Sequence, residues 1–567
     1  MSDKIGSMAV KIFAAALAVA VCGAAMGRTS AGGRAVAPRR PIVVVKPMES
    51  CAPGDRAYAA ALSGHVVRWL REGGVTADLA DDRALEQALA GRRLAYLVML
   101  QSPHAAQLGA IKRFLARGGR VCAFFSKSPE LAALMGVKLG AYRKAGPGGF
   151  EKMLFTARGP AGSPAAIVQS SGGIFTAHPL PGHSSVLAEW TDAAGRRTGE
   201  PAILSTRVGW WLTHVLLAEG DEKAKMRFLL SVAGAMVPGV WNAAVWMQRE
   251  QARQAQVTAY AKRQRRRPGE IHAVWDHSGT GLYPGDWPRT MRLLASSGIT
   301  DLFVNVAGAG FAHYPTPRLP ASVVCKTRGD QLAQCLAAAK GTGIRVHAWI
   351  LCFNGTRATA AQAAAFAKSG WRLRDKRGHL TEYLNPDRAE VRAHLLAAIE
   401  DVARRYPVAG VHLDFVRWYE GANKPPNAAK TIEDFISATR RRVRKVRPGT
   451  WLTAATLATY PSCVKSVGQD WERWIAQGLV EYVVPMNYVE DNAKYASLVA
   501  RQGRTPEQAR RIISGLGVTA NESRLGPVKV IDQINMARRA GLAGVAFFDL
   551  DYTLAAEILP VLRLGMF

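Results

Sequence analysis

Acidic residues are in short supply: 43 Asp and Glu stand against 74 Lys and Arg, leaving a formal net charge of +31 over 567 residues. An excess of that size invites a polyanion such as nucleic acid, anionic lipid or an acidic polymer. Yet the arginines are spread along the whole chain. The one dense run is Lys262 to Arg267, and no zinc-finger, RRM or helix-turn-helix signature accompanies it. Sequence-specific nucleic-acid binding is therefore not expected. The charge reads as solvated surface that favours electrostatic association with an anionic envelope.

Cysteine is scarce as well. The seven thiols include no CxxC pair and no metal-ligand spacing, and no HxxxH motif stands in for them. No metal is expected. No cofactor is expected either, because Gly515 to Gly517 reads as a strand-to-loop turn and not as a phosphate cradle. Cys122 and Cys352 lie in strand-like runs and read as isolated apolar thiols. Cys325 and Cys335 are close enough in sequence to pair in an oxidising compartment.

The apolar run at the start of the chain, Ile12 to Val21, is too short to span a bilayer. With Lys4 and Lys11 flanking its start and small residues after it, it has the layout of a secretory signal over residues 1–27, with Ala25 and Gly27 forming the cleavage site. The expectation is an exported, periplasmic or extracellular chain. A lipoprotein anchored through Cys22 is the alternative, since VAVCG resembles a lipobox.

What the chain has is 49% apolar residues and more length than one ordinary core needs, so two domains plus a leader are expected. A Gly/Pro/Arg-rich tether occupies 28–40 and a compact α/β domain 41–238. A polar, Arg- and Gln-rich connecting helix fills 239–268, and a second α/β domain 269–567. In the first, the run PIVVVKP from Pro41 to Pro47 and the strand-like Leu94 to Leu100 and Arg120 to Phe125 alternate with amphipathic helices at Ala57 to Glu72 and Ala105 to Arg117. This region resembles the flavodoxin-like domain of class I glutamine amidotransferases. Those enzymes need a thiol at a strand-to-helix elbow, where this chain has Gln101 and Ser102, and Cys122 lies within a strand. A scaffolding or binding role follows. Trp210 and Trp211 are expected to be core or interdomain contacts.

The second domain repeats strand and helix eight times. The expected strands are Ile271 to Trp275, Asp301 to Val306, Arg345 to Leu351, Gly410 to Asp414, Trp451 to Leu457, Tyr482 to Met486, Arg511 to Leu516 and Val545 to Asp549. That count predicts a (β/α)₈ TIM barrel with one enlarged connection after the third strand, preceded by the smaller flavodoxin-like domain. His272 and His347 are expected to be core histidines. His412 is read either as a core group or as one that tunes Asp414.

Barrel chemistry belongs at the carboxyl ends of strands. There the chain places Asp276 and His277, Asn305, Trp349, Asp414 with Arg417 and Trp418, Asn487 with Tyr488 and Glu490, and Asp549 with Asp551. Sugars need both kinds of group: aromatic faces for their C–H surfaces and carboxylates, amides and guanidinium for their hydroxyls. Hydrolysis of a glycosidic bond needs two carboxyls in different protonation states. Asp414, at the end of GVHLDFVRW, is expected to be the ionised nucleophile or base. Glu490, Asp549 and Asp276 compete for the partner. Asp549 follows Phe547 on the same strand face and reads as rigidly aimed at the barrel axis, which suits a ligand for a sugar hydroxyl. Glu490 lies in a loop and is preferred as the acid.

The motifs HYPTPRLP, VHAWI, WRLRDKRGH, YLNPDRAEVR, GVHLDFVRW, DWERWIAQGLVEYVVPMNY and GVAFFDLDY, in that order over Gly269 to Phe567, resemble the glycosyl-hydrolase-like family ten group of secreted bacterial proteins. The resemblance implies a TIM-barrel glycosidase acting on a polysaccharide or cell-wall glycan, with Asn385, Asp414, Arg417, Asn487 and Tyr488 in the pocket. The first strand departs from the pattern, with HAVWDHSG where the relatives carry RGVW, and so leaves the acid/base partner open. The alternative is a carbohydrate-binding or structural envelope protein on a degenerate barrel.

Overall fold

The computed structural model describes residues 40–146, 149–157 and 159–567, so the expected leader, Cys22 and most of the tether lie outside the described residues. The chain divides at Arg253/Gln254 into two compact units. Among the described residues no helix is long and apolar enough to cross a membrane.

The first unit is built on a nine-stranded sheet. Its parallel part runs Asp78–Asp81, Ile42–Lys46, Leu94–Val98, Arg120–Phe124, Gly209–Leu212. This is the 2-1-3-4-5 order of flavodoxin-like sheets. Both faces of the inner strands are covered, which explains their apolar runs, whereas the edge strand Asp78–Asp81 is partly exposed and carries two aspartates. Ile42 and Val44 pack under the helices Arg56–Glu72 and Glu222–Met236, while Val43 and Val45 pack against Ala105–Ala116. Beyond Gly209–Leu212 the sheet turns antiparallel through Arg197–Thr206, Ser184–Thr191, Phe150–Phe155 and Ala166–Ser171. Trp210 and Trp211 are buried in this unit's own core, on opposite faces of the sheet. At the sharp turn between Leu94–Val98 and the next helix stands Met99, with φ 55 and fully buried. No nucleophile occupies that turn, and Cys122 lies inside its strand, where burial pushes the thiol well above its usual range.

The second unit holds eight parallel strands closed into a barrel: Ile271–Asp276, Asp301–Gly308, Arg345–Leu351, Gly410–Asp414, Trp451–Leu457, Tyr482–Met486, Ile513–Gly517 and Gly544–Phe548. The first strand pairs with the eighth, Ile271 opposite Gly544, and with the second, Ala273 opposite Asp301. The enlarged connection after the third strand contains the helix Ala360–Lys368 and the hairpin Arg372–Arg374 with Leu380–Leu384.

Strand alternation sorts the barrel's side chains. On the fourth strand Val411 and Leu413 join the layer beneath the helices, while His412 points inward to the axis filled by Trp275, Phe303 and Trp349. His412 is a core group. It accepts from Trp275 Nε1 at 2.9 Å, so its proton sits on Nδ1 and donates to Thr453 Oγ1 at 2.8 Å. Its ring stacks on Phe303 at 4.1 Å, and burial holds it neutral. Lower down, Asp301 takes Arg345 through two bonds of 2.8 and 2.7 Å and His347 Nε2 at 2.8 Å. His272 bonds Glu270 and stacks on Phe567. Cys325 and Cys335 are both free, buried thiols and form no disulfide.

Candidate active site at the barrel mouth

Asp414 is the last residue of the fourth strand and only 7% exposed. The chain turns immediately after it through Phe415, a non-glycine residue at φ 49. A bulky side chain in the left-handed region is strained, and such outliers cluster at functional sites. The turn is held by several contacts. Phe415 N–H donates to the Asp414 carboxylate at 2.6 Å, Cys352 N–H takes the Asp414 carbonyl at 2.8 Å, and the Arg417 guanidinium lies 4.5 Å over the Phe415 ring. The carboxylate of Asp414 is thus aimed by backbone.

Burial raises the Asp414 pKa, opposed by the charge of Arg417, the Phe415 N–H and the approach of Trp349. Arg417 acts through charge without closing to an ion pair, and one of its terminal nitrogens, Nη1, is buried with no partner. Trp349 Nε1 is also buried and makes no hydrogen bond of normal geometry, so its influence on Asp414 is a close approach and not a bond.

Asp549 directly follows the eighth strand and is half-buried. Its pKa is raised to about 7, first by burial and then by the neighbouring charge of Asp551; Thr519 Oγ1, donating at 3.2 Å, opposes the rise, and Asp276 adds to it. Tyr488 lies within electrostatic reach of both acids. Its phenol is held well above its usual range by burial and then by Asp414, Glu522 and Asp549, so both carboxyls act on one hydroxyl. The Tyr488 ring stacks on Phe548 at 5.4 Å and meets Trp275 edge-on at 6.5 Å. His277 keeps a solvent-exposed edge but is crowded by rings, 5.7 Å from Trp349 and 6.0 Å from Phe548, and this partial desolvation and then Arg357 draw its pKa down.

Several residues expected in the pocket are occupied elsewhere. Asn487 is fully buried and spends its amide on Gln502 Oε1, Ser514 Oγ and Gln502 Nε2. Glu490 is exposed and accepts from the Arg524 backbone N–H at 2.8 Å, which ties one loop to the next. Trp418 is 2% exposed in the core, donating to the Ala428 carbonyl. Asn385 accepts from Asp387 N–H in the turn before the helix Ala389–Arg405. Asp276 is fully buried and organises its own loop, accepting from Ser278 Oγ at 2.6 Å and from the backbone of Ser278, Gly279 and Gly281. Gly279 in that loop has φ 68, and a Cβ there would stand 2.2 Å from the Asn305 carbonyl oxygen. Phe547 faces the outer layer and its neighbour Phe548 packs against the barrel axis, so Asp549 does not share an inward face with Phe547 as the expected strand had it.

The sequence reading passed over Arg357, in the loop after the third strand. Its guanidinium stacks at 4.5 Å on Phe311, donates to Asn305 Oδ1 at 3.0 Å and approaches His313 Nε2 at 3.4 Å. Its position just past a barrel strand, in the turn Asn354-Gly355-Thr356, was the available signal.

No family model matches the chain, and no curated protein matches it. Among solved structures, the glycoside hydrolase domain of PgaB (BpsB) from Bordetella bronchiseptica is similar at 15% identity and TM-score 0.43, over 52% of this chain and 98% of that one. A class V chitinase from Pseudomonas fluorescens is similar at 12% identity and TM-score 0.35, over 52% and 99%. A protein described as ThuA-like from Bacteroides uniformis is similar at 13% identity and TM-score 0.29, over 38% and 96%. The barrel assignment stands on the strand pairing itself.

Proposed function

We propose that this chain is an exported glycoside hydrolase that cleaves O-glycosidic bonds in a polysaccharide or cell-wall glycan, with Asp414 as nucleophile or base and Asp549 as acid. The observation that carries the reading is Asp414 at the end of the fourth strand, buried and aimed by the strained Phe415 turn, with Asp549 directly after the eighth strand at the same end of the barrel. Asp414 has a cation beside it, whereas Asp549 has two further acids. Surroundings that separate two carboxyls in this way assign the ionised and the protonated role. Asp549 replaces Glu490 as the acid, because Glu490 is exposed and tied to the next loop by the Arg524 backbone N–H, whereas Asp549 is half-buried directly after a barrel strand.

In this mechanism the Asp549 proton passes to the glycosidic oxygen as the bond from that oxygen to the anomeric carbon breaks. Asp414 supplies the electron pair to the anomeric carbon, directly or by taking a proton from the attacking water. Tyr488 and Phe548, half-buried at the mouth, offer ring faces to the sugar, Trp349 lies buried beneath them, and the charge of Arg417 opposes the burial that raises the Asp414 pKa. Asp414→Asn, nearly isosteric, is expected to lower turnover on an accepted glycan by about 10³-fold or more with the melting temperature little changed. Turnover close to wild type would sink the assignment. Glycan binding by a wild-type chain that hydrolyses none of the glycans it binds would instead favour a carbohydrate-binding role for the barrel.

A further inference from the structure

We infer that the barrel mouth carries a subsite for the carboxylate of an acidic sugar, built on Arg357 and Asn305, so that the glycan is a uronate-type polymer and not a neutral one. This deepens the glycosidase reading and rests on it.

The argument begins with charge. Arg357 is half-buried, and among the described residues its hydrogen bonds go to neutral groups, the Asn305 amide oxygen and the His313 ring. The acid that acts on it is Asp276, but no ion pair forms, and both Asp276 oxygens are taken by the Ser278 to Gly281 loop. A guanidinium partly withdrawn from water without a carboxylate is poorly compensated, and an incoming anion would relieve that cost.

Geometry points the same way. The guanidinium lies over the Phe311 ring at 4.5 Å and is held by its contacts to Asn305 and His313, and its planar fork suits the two oxygens of a carboxylate. The bond from Arg357 to Asn305 Oδ1 orients that amide, leaving Nδ2 buried without an acceptor. The acceptors of the corner, Asn305 Oδ1 and His313 Nε2, are thus engaged by Arg357, while Asn305 Nδ2 remains a donor without a partner. It also borders the catalytic groups: His277, which feels the Arg357 charge, stands against Trp349 and Phe548, and these lie beside Asp414 and Tyr488.

The test uses the full chain carrying Asp414→Asn, so that binding is read without turnover. Calorimetry at fixed salt compares α-1,4-oligogalacturonate and β-1,4-oligomannuronate, each with its carboxyl-reduced counterpart. At least one acid form is expected to bind about 10-fold or more tightly than its reduced form. Arg357→Gln should erase that preference while leaving the reduced form's affinity within about twofold, and Arg357→Lys should fall between. Equal affinity for acid and reduced forms, failure of both acidic oligosaccharides to bind, or an Arg357→Gln variant that weakens both forms alike would each overturn the subsite. With Asp414 restored, cleavage of the reduced oligosaccharide without any acid preference would remove this proposal and keep the hydrolase. Acid-selective binding with no cleavage would do the reverse.

Discussion

Two aspartates separated by 135 positions acquire different chemistry from what surrounds them: Asp414 sits beside Arg417 and a backbone N–H, and Asp549 beside Asp551 and Asp276. Asp549→Asn is therefore expected to cost far less on an aryl glycoside with a low-pKa leaving group, which departs without a proton, than on a natural glycan, by at least about 10-fold. Equal losses on both substrates would refute the acid role. The same carboxyl gives a stability signature. Its folded pKa of about 7 lies above the ordinary 3.8, so folding favours the protonated form. Stability from this group is fully present below the unfolded pKa and is lost as pH rises through about 7. Asp549→Asn removes that liability and should melt at a higher temperature than wild type at pH 8, with the gap closing toward pH 4. A gap that does not change with pH would contradict the shift.

At the scale of elements, each barrel strand carries different work at its two ends. The second and third strands begin with Asp301 and Arg345 and place His347 against them, all on the rim opposite the mouth. Burial would raise the Asp301 carboxyl, but the bonds from His347 and Arg345 overcome it and hold the pKa near 2. Because this folded pKa is depressed, its contribution is present above the unfolded value and is lost as pH falls from about 4 toward 2. Asp301→Asn leaves Arg345 and His347 without their anion and is expected to cost about 3 to 5 kcal/mol in chemical denaturation at neutral pH. Turnover of the folded fraction should stay near wild type, since the site lies at the other strand ends. A large fall in turnover without loss of stability would show that the two ends are coupled.

For the molecule as a whole, the two units differ in what chemistry they hold. In the first, the turn that would present a nucleophile holds Met99, and Cys51 and Cys122 are buried with their thiols raised by desolvation. The full chain is expected to release no ammonia from glutamine above buffer, measured by a coupled dehydrogenase assay. Release that disappears in a Cys122→Ser variant would overturn this. The surplus of basic charge, +31 for the chain, acts at longer range. It sets an attraction for acidic polymers that salt screens, on which the fixed geometry at Arg357 is superimposed.

Local pattern was enough to locate the barrel. All eight strands lie within two residues of where apolar runs and turn residues predict them, because alternation and breaker residues are properties of neighbouring positions. Much of the first unit's antiparallel extension was not legible. Arg197–Thr206 contains Gly199 and Pro201 and pairs through register shifts, so its sequence lacks the regular alternation of a strand. Asp414 was legible as a strand-end acid because its direction follows from the strand that carries it. Which of Asp276, Glu490 and Asp549 would be desolvated at the mouth was not, since beyond a strand's last residue a side chain points where loop dihedrals and distant neighbours send it. Asn487 is drawn into the core by Gln502 and Ser514, Glu490 is tied outward by Arg524, and Arg357 is held at the mouth by Phe311 and Asn305. Those pairings join residues 15 to 52 positions apart, and only closure of the barrel brings them together.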